Sequence, residues 1–382
     1  MGIFDFIKEE LDGIRKAGLF RTLRTSEEGK GARVRIRGKE FINFCSNNYL
    51  GLAGHPEVIR KTKEILKKHG VGSGASRLVS GNFEIHDELE AKISKYEGTP
   101  ASIVFPTGYM ANLGTMQALV GAGDAVIIDR LNHASIIDGA KISGAKLLVY
   151  PHKDMEDLEH ILKNAQIFKK RLIVTDHVFS MDGDIAPAEK LTELAIKYKS
   201  MLMLDTAHST GVLDLKIKNK TNVIIMGTLS KAIGSLGGFI AGSRDLIDYL
   251  KNKARSFIYT TGLPPAMAAA SLASFDIIEK DSSYKEKLWD RVNYLKKKIQ
   301  PFAFDTLGSE TQIIPLVIGD ARIAVDISNR LYSSGIFLSA IRPPTVPKGT
   351  SRLRMTVTAM HSKNDIDFLA SKLKEIKEIY FG

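Results

Sequence analysis

The stretch MLMLDTAHSTGVLDLKIKNKTNVIIMGTLSK, from Met201 to Lys231, contains two four-residue apolar runs, Met201–Leu204 and Val223–Met226, each followed at once by small and polar residues. Runs this short do not make helices, and their lack of polar alternation reads as strands buried on both faces. Asp205 ends the first strand, and Lys231 lies just past the second. Working outward, further runs of the same kind occur at Ala101–Phe105, Ala125–Ile128, Lys146–Tyr150, Leu172–Thr175 and Gly238–Ala241. Helix-like stretches at 154–163 and 188–199 separate several of them, which predicts an α/β domain around a mostly parallel sheet. In such sheets function gathers at the carboxyl ends of the strands.

The flanks differ. Phe4, Ile7, Leu11 and Ile14 stand at helical spacing, and Val34–Phe44 alternates around Gly38-Lys39 as a hairpin does. Beyond about residue 290 come strands at Gln312–Ile318 and Arg352–Val357, then a helix that Ser362 can cap with Asp365 in the capping-box position. The expected organisation is an N-terminal helix and hairpin segment (1–45), a large domain (46–289) and a smaller C-terminal α+β domain (290–382).

Composition narrows the function classes. With 44% hydrophobic and 25% charged residues over 382, the chain has the profile of an ordinary globular protein. No apolar run approaches the roughly 18 residues that span a bilayer, and the N-terminus lacks the order of a signal peptide, so no membrane association and a cytoplasmic location are expected. The single cysteine, Cys45, excludes an intrachain disulfide and reads as a small buried residue. None of the nine histidines is spaced from another as metal ligands are, so no metal is expected. The net charge of +11 is spread among acids, with Lys296–Lys298 about the longest basic run. That argues against a nucleic-acid arm and for attraction of an anionic partner, such as a nucleotide-bearing thioester or an acidic carrier protein.

Four features carry chemistry. A strand-end lysine among small residues can be desolvated, leaving a neutral, nucleophilic amine, and Ser230-Lys231 with Gly234, Gly237 and Gly238 behind it has that setting. A buried carboxylate such as Asp205 requires a cationic partner. Lysine and acid together fit a cofactor held as a Schiff base whose pyridinium nitrogen pairs with the acid. In Phe105-Pro-Thr-Gly108-Tyr109-Met-Ala-Asn112 a strand gives way to a helix through Thr-Gly, a geometry that can receive phosphate. His133 lies just past another strand end, where an imidazole can stack on a planar group or move a proton.

The motifs Asn47–Leu52 (NNYLGL), Gly72–Arg77 (GSGASR), Val178–Asp184 (VFSMDGD), Asp205-x-Ala-His208, Thr228-x-x-Lys231 and Ile258–Thr261 (IYTT) together resemble the α-oxoamine synthases, a branch of the fold-type I pyridoxal-phosphate enzymes, over essentially the whole chain. The resemblance implies a homodimer in which Lys231 binds pyridoxal 5′-phosphate, Asp205 pairs with the ring nitrogen and His133 stacks on the ring. It also implies that His208 and Ser180 lie near the phenolic oxygen, that Gly108, Tyr109 and Thr228 hold the phosphate, and that Thr261 reaches the phosphate of the neighbouring subunit. Asn47 and Arg354 would orient an amino-acid carboxylate, with Arg21 and Thr345 on the acyl side. Ala340–Arg354 resembles the members that condense L-alanine with a pimeloyl thioester, on coenzyme A or a carrier protein, to 8-amino-7-oxononanoate, CO2 and free thiol in biotin synthesis. The alternatives are relatives that use glycine or serine, such as 2-amino-3-ketobutyrate ligase, or a non-catalytic scaffold of the same fold.

Overall fold

The structure, a computed structural model, describes residues 2–382. Helix α1 (Asp5–Lys16) places Asp5 in its first turn and Arg15 and Lys16 in its last, charges that suit the helix dipole, and buries none of its residues. Strands β1 (Glu28–Lys30), β2 (Arg33–Ile36) and β3 (Lys39–Asn43) follow as an antiparallel ribbon. The β2–β3 turn falls on Arg37 and Gly38, one residue earlier than the alternation suggests. Both have left-handed φ, 51° and 71°, so the turn's twist matches that of the strands.

After α2 (Pro56–His69) and α3 (Glu84–Glu97) the chain enters its main sheet. In order come β4 (Ala101–Phe105), α4 (Gly108–Leu119), β5 (Ala125–Asp129), α5 (Ala134–Ser143), β6 (Lys146–Tyr150), α6 (Met155–Asn164), β7 (Arg171–Asp176), α7 (Ala188–Lys197), β8 (Met201–Asp205), β9 (Val223–Thr228) and β10 (Gly238–Gly242). All seven apolar runs are therefore strands, in the spatial order β4-β10-β9-β8-β7-β5-β6. The pairs among β5 to β9 are parallel, whereas β10 runs antiparallel between β4 and β9.

Alternate residues of each strand enter two different cores. Ile127, Ile173, Leu202, Leu204 and Ile225 face one, and Val126, Ile128, Leu172, Val174, Met203 and Ile224 face the other. Each such side chain contributes about 1.5–3 kcal/mol on burial, so a one-residue slip that exchanged the faces would cost many such terms at once.

The chain continues through α8 (Arg244–Lys253), α9 (Arg255–Ile258), α10 (Pro265–Lys280), α11 (Ser283–Ile299), β11 (Ile313–Gly319), α12 (Ala321–Ser333), β12 (Ile336–Phe337), β13 (Ala340–Ile341), β14 (Ser351–Thr356) and α13 (Lys363–Phe381). It forms two compact units. One comprises Leu50–Ser180 and Ile185–Lys285, the other the chain up to Tyr49, Met181–Asp184 and Glu286–Gly382. In the second unit β12 pairs parallel with β3, and β11, β14 and β13 form a three-stranded sheet.

At the start of α13 the capping box forms: Ser362 Oγ accepts from the Asp365 N–H at 3.1 Å, and the Asp365 carboxylate accepts from the Ser362 N–H at 2.8 Å. Cys45 is partly rather than fully buried, its Sγ accepting from the Ser339 N–H at 3.1 Å. Among the described residues no helix is long and apolar enough to cross a membrane, and no cluster of His, Cys, Asp or Glu could hold a metal ion.

Candidate active site

The carboxyl ends of β4, β5, β7, β8 and β9 converge on a cavity of about 250 Å³ in the first unit. At its β4 side, Thr107 caps α4, its Oγ1 accepting from the Met110 N–H at 3.2 Å. The N–H groups of the first turn, at Gly108 and Tyr109, have no intrahelical acceptor, and the helix dipole adds positive potential there. Gly108 lies in a crowded turn. A Cβ on it would meet Met226 Cε at 3.0 Å, and one on Gly238 of β10 would sit 2.5 Å from Gly108 Cα. Thr228 and Ser230 also line the cavity, their hydroxyl oxygens 2.9 Å apart.

Asp205 ends β8 with only 3% of its surface exposed. Its Oδ1 accepts from the Ala207 N–H and its Oδ2 from the Asn112 side-chain N–H, both at 2.9 Å. Beside it in register on β7 is Asp176, also buried. Burial, then the neighbouring Asp205 charge, push the Asp176 carboxyl well above the usual range. Its Oδ2 accepts from the His133 backbone N–H at 2.8 Å.

His133 caps α5, and its ring remains exposed at the cavity. Burial around it lowers its pKa, with smaller contributions from Asp205 upward and Lys231 downward. Lys231 Nζ lies 3.0 Å from Nε2 of buried His208, a distance across which a proton can pass.

The structure therefore brings together Gly108, Tyr109, His133, Asp205, His208, Thr228 and Lys231 of the expected set. Tyr109 is nearly half-exposed and its hydroxyl donates to Asp138. Ser180 and Thr261 do not line this cavity, and Thr261 is exposed. In the other unit, Arg354 Nη1 donates to Asn47 Oδ1 at 3.3 Å, as does the Tyr49 hydroxyl at 3.1 Å. Arg21 Nη2 donates to the Pro343 carbonyl at 3.3 Å, and Thr345 is exposed.

Four polar groups at the cavity, Asn112, Ser135, Asp176 and Ser230, escaped the sequence reading. Asn112 stands one helical turn beyond Gly108, so helical spacing alone would have placed it on the same face. Asp176 closes an apolar run as Asp205 does, and that strand-end position was its signal. A larger hollow of about 540 Å³, between Pro187 and Leu213, contains none of the expected site residues.

The donor set fits a flat, phosphate-bearing aldehyde. The start of α4 with the Thr228 and Ser230 hydroxyls suits a phosphate, the exposed His133 face suits a ring, and the buried Asp205 carboxylate suits a protonated ring nitrogen. Lys231 supplies an amine for the carbonyl carbon.

The sequence profile of the family Aminotransferase class I and II matches residues 39–373. Among curated relatives, the 8-amino-7-oxononanoate synthase of Citrifermentans bemidjiense is 48% identical over 378 residues, covering 96% of this chain and 97% of its own. That of Thermoanaerobacter pseudethanolicus is 45% identical, covering 95% of this chain and 94% of its own. Among solved structures, the serine palmitoyltransferase of Sphingomonas wittichii superposes with a TM-score of 0.91 at 28% identity, covering 99% of this chain and 98% of its own. An 8-amino-7-oxononanoate synthase from Francisella tularensis superposes at 0.75 and 26% identity, covering 89% and 97%. The fold is the fold-type I architecture of pyridoxal-phosphate transferases. The motifs, the strand-end site and these similarities agree: the chain belongs to aminotransferase class I and II, and within it to the α-oxoamine synthase family that includes the 8-amino-7-oxononanoate synthases.

Proposed function

We propose that this chain is a pyridoxal-phosphate-dependent acyltransferase that joins L-alanine to a pimeloyl thioester, releasing 8-amino-7-oxononanoate, CO2 and the free thiol. A carbon–carbon bond forms between the alanine α-carbon and the thioester carbonyl, while the carbon–sulfur bond and the bond to the carboxylate break. The observation that carries this reading is Lys231 Nζ against His208 Nε2, at a cavity that also holds a buried, doubly hydrogen-bonded Asp205. When bound, pyridoxal phosphate supplies an electron sink for negative charge at the α-carbon.

Each residue then has a task. Asp205 holds positive charge at the ring nitrogen, an interaction that its burial strengthens. The first turn of α4, at Gly108 and Tyr109, and the Thr228 hydroxyl hold the phosphate. His133 covers one face of the ring. The Lys231 amine takes the α-proton, and His208, within hydrogen-bond reach, accepts or returns it. Ser180 and His208 are assigned to the phenolic-oxygen edge of the ring. Arg354 and Asn47 orient the alanine carboxylate, and Arg21 and Thr345 serve the acyl chain.

The exposed apolar residues Val71, Leu78, Val79 and Tyr259 support a homodimer. Thr261 belongs to the same region, since the adjacent Gly262 N–H bonds the Ala75 carbonyl at 2.9 Å. We assign Thr261 to the partner's phosphate and the enzyme to the cytoplasm.

Thiol release from pimeloyl-coenzyme A, and from pimeloyl carrier protein, tests the reaction with alanine, glycine and serine in turn. Serine is the informative comparison because of the structural similarity to serine palmitoyltransferases. Alanine-dependent release is expected, and release with serine or glycine alone refutes the substrate assignment.

A further inference from the structure

Asn112 is 1% exposed and bonds two side chains that lie far from it in sequence. Its Nδ2 gives one hydrogen to Asp205 Oδ2 at 2.9 Å and the other to Ser135 Oγ at 2.8 Å. Its Oδ1 is buried and meets no donor among the described residues. Leaving an acceptor unmet costs about 1–3 kcal/mol, so both N–H bonds must outweigh it for the amide to stay in this orientation. The reverse orientation would turn Oδ1 onto the Asp205 carboxylate.

Ser135 Oγ, which accepts from Asn112, lies 2.8 Å from His133 Nδ1. The Ser135 backbone N–H also points at Nδ1, at 3.3 Å, and a backbone N–H can only donate. Nδ1 is therefore a lone pair, and the neutral ring carries its proton on Nε2. One chain of bonds, Asp205–Asn112–Ser135–His133, thus runs between the two groups assigned to the ring nitrogen and the ring face.

We propose that Asn112 is a positioning residue: its two N–H bonds orient the Asp205 carboxylate and anchor the Ser135 hydroxyl against His133 Nδ1, so that both groups meet the cofactor in one arrangement. The charged and titratable groups around His133 are Asp205, Asp176, Asp138 and Lys231, and none of them donates to Nδ1. The chemical role rests on the proposed function, whereas the bond chain itself belongs to the protein alone.

The test uses the full chain labelled with 15N-histidine, with and without pyridoxal phosphate, the His133 signal being identified by its loss in His133→Asn. Wild type should show a single Nε2–H tautomer, with or without the cofactor. In Asn112→Ala the Ser135 hydroxyl loses its anchor, so the His133 Nδ1 signal should shift, while the Nε2–H tautomer persists because the Ser135 backbone N–H still donates to Nδ1. In the loaded variant the pH midpoint of the bound cofactor's absorption should move by about one unit. Its kcat should fall about tenfold or more, with the alanine KM within about twofold of wild type.

Ser135→Ala cuts only the His133 arm, so it should shift the His133 Nδ1 signal and leave the absorption midpoint in place. It also covers the case in which Asn112→Ala does not fold. An unchanged midpoint in Asn112→Ala, or an unchanged His133 signal in both variants, overturns the proposal. Failure of wild type to bind pyridoxal phosphate would overturn the proposed function instead, with the tautomer still decided in the cofactor-free protein.

Discussion

Lys231 and Asp205 are sharply defined targets because each lies at a strand end where the backbone allows little adjustment. Sodium borohydride should fix pyridoxal phosphate covalently to wild type and not to Lys231→Ala, as read by intact mass. Asp205→Asn keeps the shape and removes the charge. Alanine turnover should then drop by roughly a hundredfold or more, the scale of losing one preorganised electrostatic partner. Stopped-flow rates of alanine α-proton loss would check it, and a wild-type rate would dismiss the assigned role. The residues legible in sequence at this scale were those whose type is itself a chemical signal, a lysine, an acid and a histidine after apolar runs. Asn112 was not legible, because an amide one turn into a helix is unremarkable until its partner 93 residues away is known.

At the scale of elements, the site depends on how closely α4 approaches the sheet. Gly238→Ala would place a methyl 2.5 Å from Gly108 Cα and push the helix start away from the phosphate position. Retention of pyridoxal phosphate should weaken by about tenfold or more, the value of one charge-assisted hydrogen bond, measured by equilibrium dialysis. At the other end of the chain, Ser362→Ala removes half of the α13 capping box. It should destabilise the protein by about 1 kcal/mol, seen as a lower urea midpoint with activity retained. The capping box was readable because its signal spans four adjacent residues. The hairpin turn was off by one, since alternation locates strands better than it locates a two-residue turn.

For the whole molecule, stability against pH follows from buried groups. Burial holds His86, His177 and His361 down to about 4, and each is neutral and buried at pH 7. Unfolded histidines take up protons near 6.5, so between about 6.5 and 4 the unfolded chain binds more protons and stability falls as pH falls. Glu97 is opposite in sign. Burial raises its carboxyl to about 7, so the folded chain binds the extra proton and stability falls as pH rises from the ordinary carboxylate range to about 7. Glu97→Gln should remove that second decline and stabilise the protein near pH 7.5 by up to about 3 kcal/mol, checked by denaturant melts across pH. Equal pH profiles for the variant and wild type would show that Glu97 is ionised in the fold at neutral pH.

The sequence by itself determined where the seven strands lie, and that Asp205, His133 and Lys231 follow strand ends. Those features depend on the polarity of neighbouring residues, which is local. Only the tertiary structure decided that β10 runs backwards between β4 and β9 and that β12 joins the N-terminal ribbon beside β3. It also decided that Asp176 stands next to Asp205 and that Asn112 bridges Asp205 to the His133 turn. Strand order and cross-strand neighbours are selected by the summed burial of both sheet faces, and no single segment carries that sum. The motif resemblance joined the two levels, grouping residues 205 and 231 before their shared cavity was visible.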